Sequence, residues 1–96
     1  MIKVNLIYKD DELCGLTAEG HALYAEHGND LICAAVSSIL TGGFNAFDDS
    51  DFEEISLNEG YAKVIVCSEK GKIILQTLVV QLKTIEASYP KNIRIK

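Results

Sequence analysis

The chain has 96 residues, 48% of them hydrophobic and 24% charged, which excludes a disordered linker and leaves room for one small domain spanning residues 1–96. Fourteen acids against nine bases give a net charge of −5. That sign argues against a protein that tracks nucleic-acid phosphates and suits a basic partner such as a cationic peptide. A domain of this size often dimerises to bury more surface.

The first elements read as a hairpin. Ile2, Val4 and Leu6 alternate with Lys3 and Asn5, which predicts a strand over Ile2 to Tyr8. Lys9-Asp10-Asp11-Glu12 is a charged turn. Leu13 to Glu19 follows as a second strand, with Leu13, Gly15, Thr17 and Glu19 opposed to Cys14, Leu16 and Ala18. Gly20 to Asn29, with two glycines and two histidines, fits neither periodicity and is expected to be a mobile loop. Asp30 suits the N-cap of a helix running to about Phe47, which Gly42-Gly43 is expected to weaken, bend or end.

The second half repeats the pattern. After an acidic break at Asp48 to Asp51, Phe52 to Asn58 and Tyr61 to Ser68 read as a second hairpin around Glu59-Gly60. Leu75, Leu78, Val79, Leu82 and Ile85 place a helix over about Lys72 to Ser88. Pro90 stops it, and Ile93-Arg94-Ile95 is expected as a short edge strand. The order ββαββα predicts an α+β two-layer sandwich, with an antiparallel or mixed sheet and its helices on one face.

Three widely spaced cysteines, Cys14, Cys33 and Cys67, imply no self-contained disulfide framework. The opening residues lack the basic start and long apolar core of a signal peptide, and no apolar run approaches the roughly 20 residues of a membrane span. A reducing cytoplasm fits all of this, so each thiol is either a packing residue or a reactive one. Cys14 and Cys67 fall in strand patterns and read as packing residues. Cys33 has two readings. Inside Ile32-Cys33-Ala34-Ala35-Val36 it could be a small apolar core residue. In the first turn of a helix capped by Asp30, its thiolate would be favoured by unpaired amides and the helix dipole, and His21 could take its proton.

Other chemistry is less well supported. Zinc ligation by Cys14, His21, His27 and Cys33 lacks any C-x-x-C pair, so no metal site is expected. His27 reads as a solvated loop residue. Neither a Walker loop nor a dinucleotide fingerprint occurs, so no cofactor is expected. Asp48, Asp49, Asp51, Glu53 and Glu54 read as a solvated edge, or else as an attractive field for a basic substrate.

The stretch Gly20-His21-Ala22-x-Tyr24-x-x-x-Gly28-x-Asp30-Leu31-Ile32-Cys33-Ala34-Ala35-Val36-Ser37 resembles the signature of the bacterial ribosomal-processing cysteine proteases called Prp. The resemblance covers essentially the whole chain. It implies an endopeptidase that removes a short N-terminal extension from a large-subunit ribosomal protein, the twenty-seventh by number, after an aromatic, apolar segment. By that resemblance Cys33 is the nucleophile and His21 the general base. Asp30 and Ser37 take supporting roles, and Gly20 and Gly28 act as hinges of a mobile loop. The resemblance also implies a homodimer. The competing class is a non-catalytic ribosome-assembly factor that binds a basic ribosomal protein without cutting it. A third, a small thiol redox protein, lacks a resolving cysteine near Cys33 in sequence.

Overall fold

Lys9 and Glu12 face each other across the first chain reversal, and the two residues between them, Asp10 and Asp11, have φ of 53° and 65°. Aspartate tolerates this left-handed region, which lets a two-residue turn follow the twist of its strands. The computed structural model describes residues 1–20 and 31–96. Its elements are β1 (Ile2–Lys9), β2 (Glu12–Glu19), α1 (Leu31–Phe44), a 3₁₀ turn (Asp49–Asp51), β3 (Phe52–Asn58), β4 (Tyr61–Val66), α2 (Glu69–Ser88) and β5 (Ile93–Ile95). The expected loop at Gly20 to Asn29 and the N-cap at Asp30 lie outside the described residues, apart from Gly20 itself.

The five strands form one sheet in the order β3-β4-β2-β1-β5. It is mixed: β5 runs parallel to β1, pairing Ile93 with Ile2, and the other neighbours are antiparallel. One face carries Ile2, Val4, Leu16, Ala18, Ala62, Val64 and Ile93, all buried. These join the buried stripes of both helices in a single core: Ile32, Val36, Leu40 and Phe44 from α1, and Leu75, Leu78, Val79 and Leu82 from α2. Helices on one face of a sheet, with one shared core, make the α+β two-layer sandwich.

Three details differ from the sequence reading. The register shifts between Ile7 and Tyr8, which face Gly15 and Leu13 and leave Cys14 as the extra residue of a bulge. The bulge reverses the alternation, so Leu13 packs against the core instead of sharing the outer face with Gly15. The helix α1 passes through Gly42-Gly43 and ends at Phe44, three residues short of Phe47. Gly43 is where it crosses α2, and a Cβ there would meet Leu78 Cδ2 at 2.2 Å. Close helix approach, rather than helix termination, explains that glycine. Finally, β4 ends at Val66, so Cys67 lies beyond the strand and is exposed rather than packed.

Candidate active site

Cys33 is the third residue of α1 and half-buried. It packs against the core beside Ile32 and Val36. Ser37, one turn later on the same helix, is exposed. Both line a groove of about 470 Å³ between α1 and one end of the sheet, within the usual range for ligand clefts of roughly 300–1,000 Å³. Val36, Leu40 and Thr41 continue its helical wall. The opposite side comes from Ile2 of β1, the end of β2 and the β3–β4 hairpin from Leu57 to Ala62.

The sheet register explains why a groove exists there. Deep in the sandwich, Ile55, Val64, Leu16 and Leu6 form one inward-facing row across four strands. Leu16 and Val64 in that row are fully buried. The next row is Leu57, Ala62, Ala18 and Val4, so the two central side chains shrink to methyl groups. Beyond it the chains meet at two glycines, where the Gly20 N–H donates to the Gly60 carbonyl oxygen at 3.3 Å. Side-chain volume therefore falls from leucine to alanine to nothing along the same strands, which leaves a groove beside the Cys33 and Ser37 side of α1.

Gly20 is held in a form only glycine adopts readily. Its φ is +96°, and a Cβ would lie 2.4 Å from the Met1 carbonyl oxygen. The groove thus brings together Cys33, Ser37 and Gly20 of the site residues expected from sequence. His21, Gly28 and Asp30 lie outside the described residues, as does His27. Sequence reasoning did not find the contribution of the β3–β4 hairpin. The available signal was the alanine at the inward positions 18 and 62, where the neighbouring positions carry leucine and valine.

The chain belongs to a known family. The model of the family described as cysteine protease Prp matches residues 1–94. The protein is a cysteine protease. A ribosomal processing cysteine protease Prp of Mycoplasma genitalium is 40% identical over 98 residues, covering 99% of this chain and 94% of the relative. Two crystal structures of the essential ribosomal processing protease Prp from Staphylococcus aureus are similar over 100% of this chain and 98% of theirs, at 30% identity. One, in complex with a covalently linked product peptide, superposes with a TM-score of 0.87, and the other, with a substrate peptide, with 0.83. Family membership sets aside the non-catalytic binder for this Prp-family chain.

A second polar cluster lies at the start of α2, and it corrects the reading of the acidic run as a solvated edge at one position, Asp51, the other four acids being exposed. Asp51 is buried. Its carboxylate accepts from the Asp48 N–H at 2.8 Å and from Ser68 Oγ at 2.7 Å, with Lys70 Nζ at 3.2 Å. Ser68 caps α2 by accepting from the Gly71 N–H at 2.9 Å. The bond from the Asp48 backbone, with help from Ser68 and Lys70, holds the Asp51 carboxyl below the usual carboxylate range. Lys70 also pairs with Asp48, and Lys63 pairs with Glu54 at 3.0 Å. Asp51 alone of the acidic run is built into the fold, while Asp48 and Glu54 make exposed ion pairs. Among the described residues no group of three or more His, Cys, Asp or Glu side chains is placed to hold a metal ion. No described helix is long and apolar enough to cross a membrane.

Proposed function

We propose that this Prp-family protease removes the N-terminal extension of a large-subunit ribosomal protein, the twenty-seventh by number, with Cys33 as nucleophile and His21 as general base. The observation that carries the reading is the position of Cys33 in the first turn of α1, on the wall of a groove deep enough for a peptide. First-turn amides lack intrahelical acceptors and favour the thiolate. His21 follows Gly20 in sequence, and Gly20 lines the same groove.

The reaction then runs as an acyl transfer. His21 takes the Cys33 proton, and Sγ attacks the scissile carbonyl carbon. Backbone amides around Leu31 to Cys33 are the candidate donors to the oxyanion of the tetrahedral intermediate. His21 gives its proton to the leaving amine as the C–N bond breaks. Water, deprotonated by His21, releases the acyl-enzyme and restores the thiol. Asp30 and Ser37 support this centre, and Gly20 and Gly28 serve as hinges of the intervening loop. No cofactor enters.

The substrate assignment draws on the printed function of the relatives and on charge. The groove-lining side chains of the described residues include Glu19 and Glu59 and no cation, which suits a basic protein. The same reading places one domain over residues 1–96 in the cytoplasm as a homodimer, with Ile73 and Val80, exposed on α2, available to a second copy. Incubating the extension-bearing ribosomal protein with wild-type and Cys33→Ala protein, read by mass spectrometry, tests the assignment. The wild type is expected to yield the shortened protein and the free extension, and the variant neither. Cleavage by the Cys33→Ala protein would overturn the mechanism.

A further inference from the structure

The net charge of −5 hides an uneven distribution of cations. Three of the nine, Lys63, Lys70 and Lys72, form ion pairs. Among the described residues no carboxylate pairs with Lys3, Lys9, Lys83, Lys91, Arg94 or Lys96, all of them exposed. All but Lys9 gather at the β5 edge. Lys3 and Arg94 are cross-strand partners on the outer face of the sheet, opposite to the buried Ile2 and Ile93. Lys96 follows along the same edge, its backbone bonded to Val4 and Leu6. Lys91 sits in the turn between α2 and β5. Lys83 lies one turn before Glu86, whose carboxylate reaches β5 by accepting from the Ile95 N–H at 2.7 Å. Like charges that face each other across paired strands are destabilising. The Lys3–Arg94 pair is not relieved within the chain, since Glu19, the β2 partner of Lys3, forms no ion pair with it.

We propose that this basic edge binds the phosphate backbone of RNA, so that the protease meets its substrate as a protein–RNA complex. Delivery of the substrate rests on the proposed function, whereas the RNA surface stands without it. An acidic peptide cannot add to β5 as a further strand. The outward N–H of Ile93 already donates to the Tyr89 carbonyl oxygen at 3.3 Å, and that of Ile95 to Glu86. Tyr89, 39% exposed, stands two residues from Lys91. An aromatic ring beside cations suits a nucleic acid, whose bases stack while its phosphates are neutralised. The edge also adjoins the catalytic groove, because Ile2, next to Lys3, lines that groove. The groove lining carries Glu19 and Glu59 and no cation. A basic protein at the groove and its RNA at the edge would each meet the opposite sign. A net charge sums over both regions and so conceals the basic one.

Fluorescence anisotropy of a labelled RNA hairpin, measured over a range of salt, compares wild type with Lys91→Glu, Arg94→Glu and Lys9→Glu. Lys9 ends β1 away from β5, so its reversal changes the net charge equally at a different place. Wild type is expected to bind with a Kd that rises steeply with salt. Lys91→Glu and Arg94→Glu should each raise Kd about tenfold and lower the slope of log Kd against log salt by about one, while Lys9→Glu should change Kd less than about twofold. Thermal melting checks that the variants fold, and their kcat/KM on the free extension peptide should match wild type. With the ribosomal protein presented on RNA, KM should rise severalfold for the two edge variants only. An unchanged KM there would overturn substrate delivery. Equal weakening by Lys9→Glu, displacement of the hairpin by polyglutamate as readily as by unlabelled RNA, or binding to phosphatidylglycerol vesicles and not to RNA would overturn the RNA surface. Failure of the wild type to cleave the free peptide would overturn the substrate assignment, with the RNA surface still judged by anisotropy.

Discussion

The first turn of α2 rests on a closed polar junction, whereas the first turn of α1 borders an open groove. At α2, Asp51 satisfies Ser68 and the Asp48 backbone, Ser68 satisfies Gly71, and Lys70 closes the cluster from outside. Gly71 fits only because it lacks a Cβ, which would lie 2.6 Å from the Asp51 carbonyl oxygen. At α1 the sheet opposite recedes to alanine and glycine, and Cys33 stands on the groove wall. One helix start is consumed in holding the fold together. The other sets a thiol of its first turn on the wall of a space large enough for a ligand, as a nucleophile requires.

Substitutions can break this contrast from either side. Cys33→Ala is expected to lower kcat/KM by more than about a thousandfold while shifting Tm little, as read by peptide cleavage and thermal melting. A thiol needed mainly for packing would reverse that pattern. Leu16→Ala, in the filled row, should cost about 2–5 kcal/mol in urea unfolding, because neighbours cannot collapse into the space of a fully buried side chain.

Asp51→Asn should lower Tm clearly at neutral pH, and its penalty should vanish in acid. The folded-state pKa of Asp51 is depressed, so its stabilisation is complete above the ordinary carboxylate value of about 3.9 and lost as pH falls through the lower folded value. Thermal melts of both proteins across that acid range check the sign. A Tm difference that persisted at the acid end would mean that shape, not charge, matters at this junction.

The smallest effects concern the paired glycines of α1. Gly42 has nothing within 4 Å of an added Cβ, so Gly42→Ala should stabilise by roughly 0.5–1 kcal/mol. Gly43→Ala meets Leu78 and should destabilise by about 1 kcal/mol after the helix-propensity gain. Chemical denaturation of the two variants separates a glycine that only weakens a helix from one that lets two helices touch.

Much of the architecture was legible in the chain because burial imposes periodicity. Alternation located β1, the second hairpin and the β5 edge, and 3.6-residue spacing located α2. The errors have local causes. The bulge at Cys14 reversed the face of Leu13, since alternation assumes an unbroken ladder. The glycine pair was expected to weaken, bend or end the helix, and propensity does not register the Leu78 side chain that accounts for Gly43 at the helix crossing. Asp51 looked solvated amid other acids because its partners Ser68 and Lys70 lie 17 and 19 positions away.

The sequence by itself determined the order of elements, the core stripes, the resemblance carried by the stretch from Gly20 to Ser37 and the singling out of Cys33. Those properties rest on near-neighbour pattern and residue chemistry. Only the tertiary structure decided that the β3–β4 hairpin, far along the chain, lies opposite Cys33, and that Ala18 and Ala62 pair beneath it. Strand register brings together residues 44 positions apart. No local pattern records which side chain will face which, and the depth of the groove depends on that pairing.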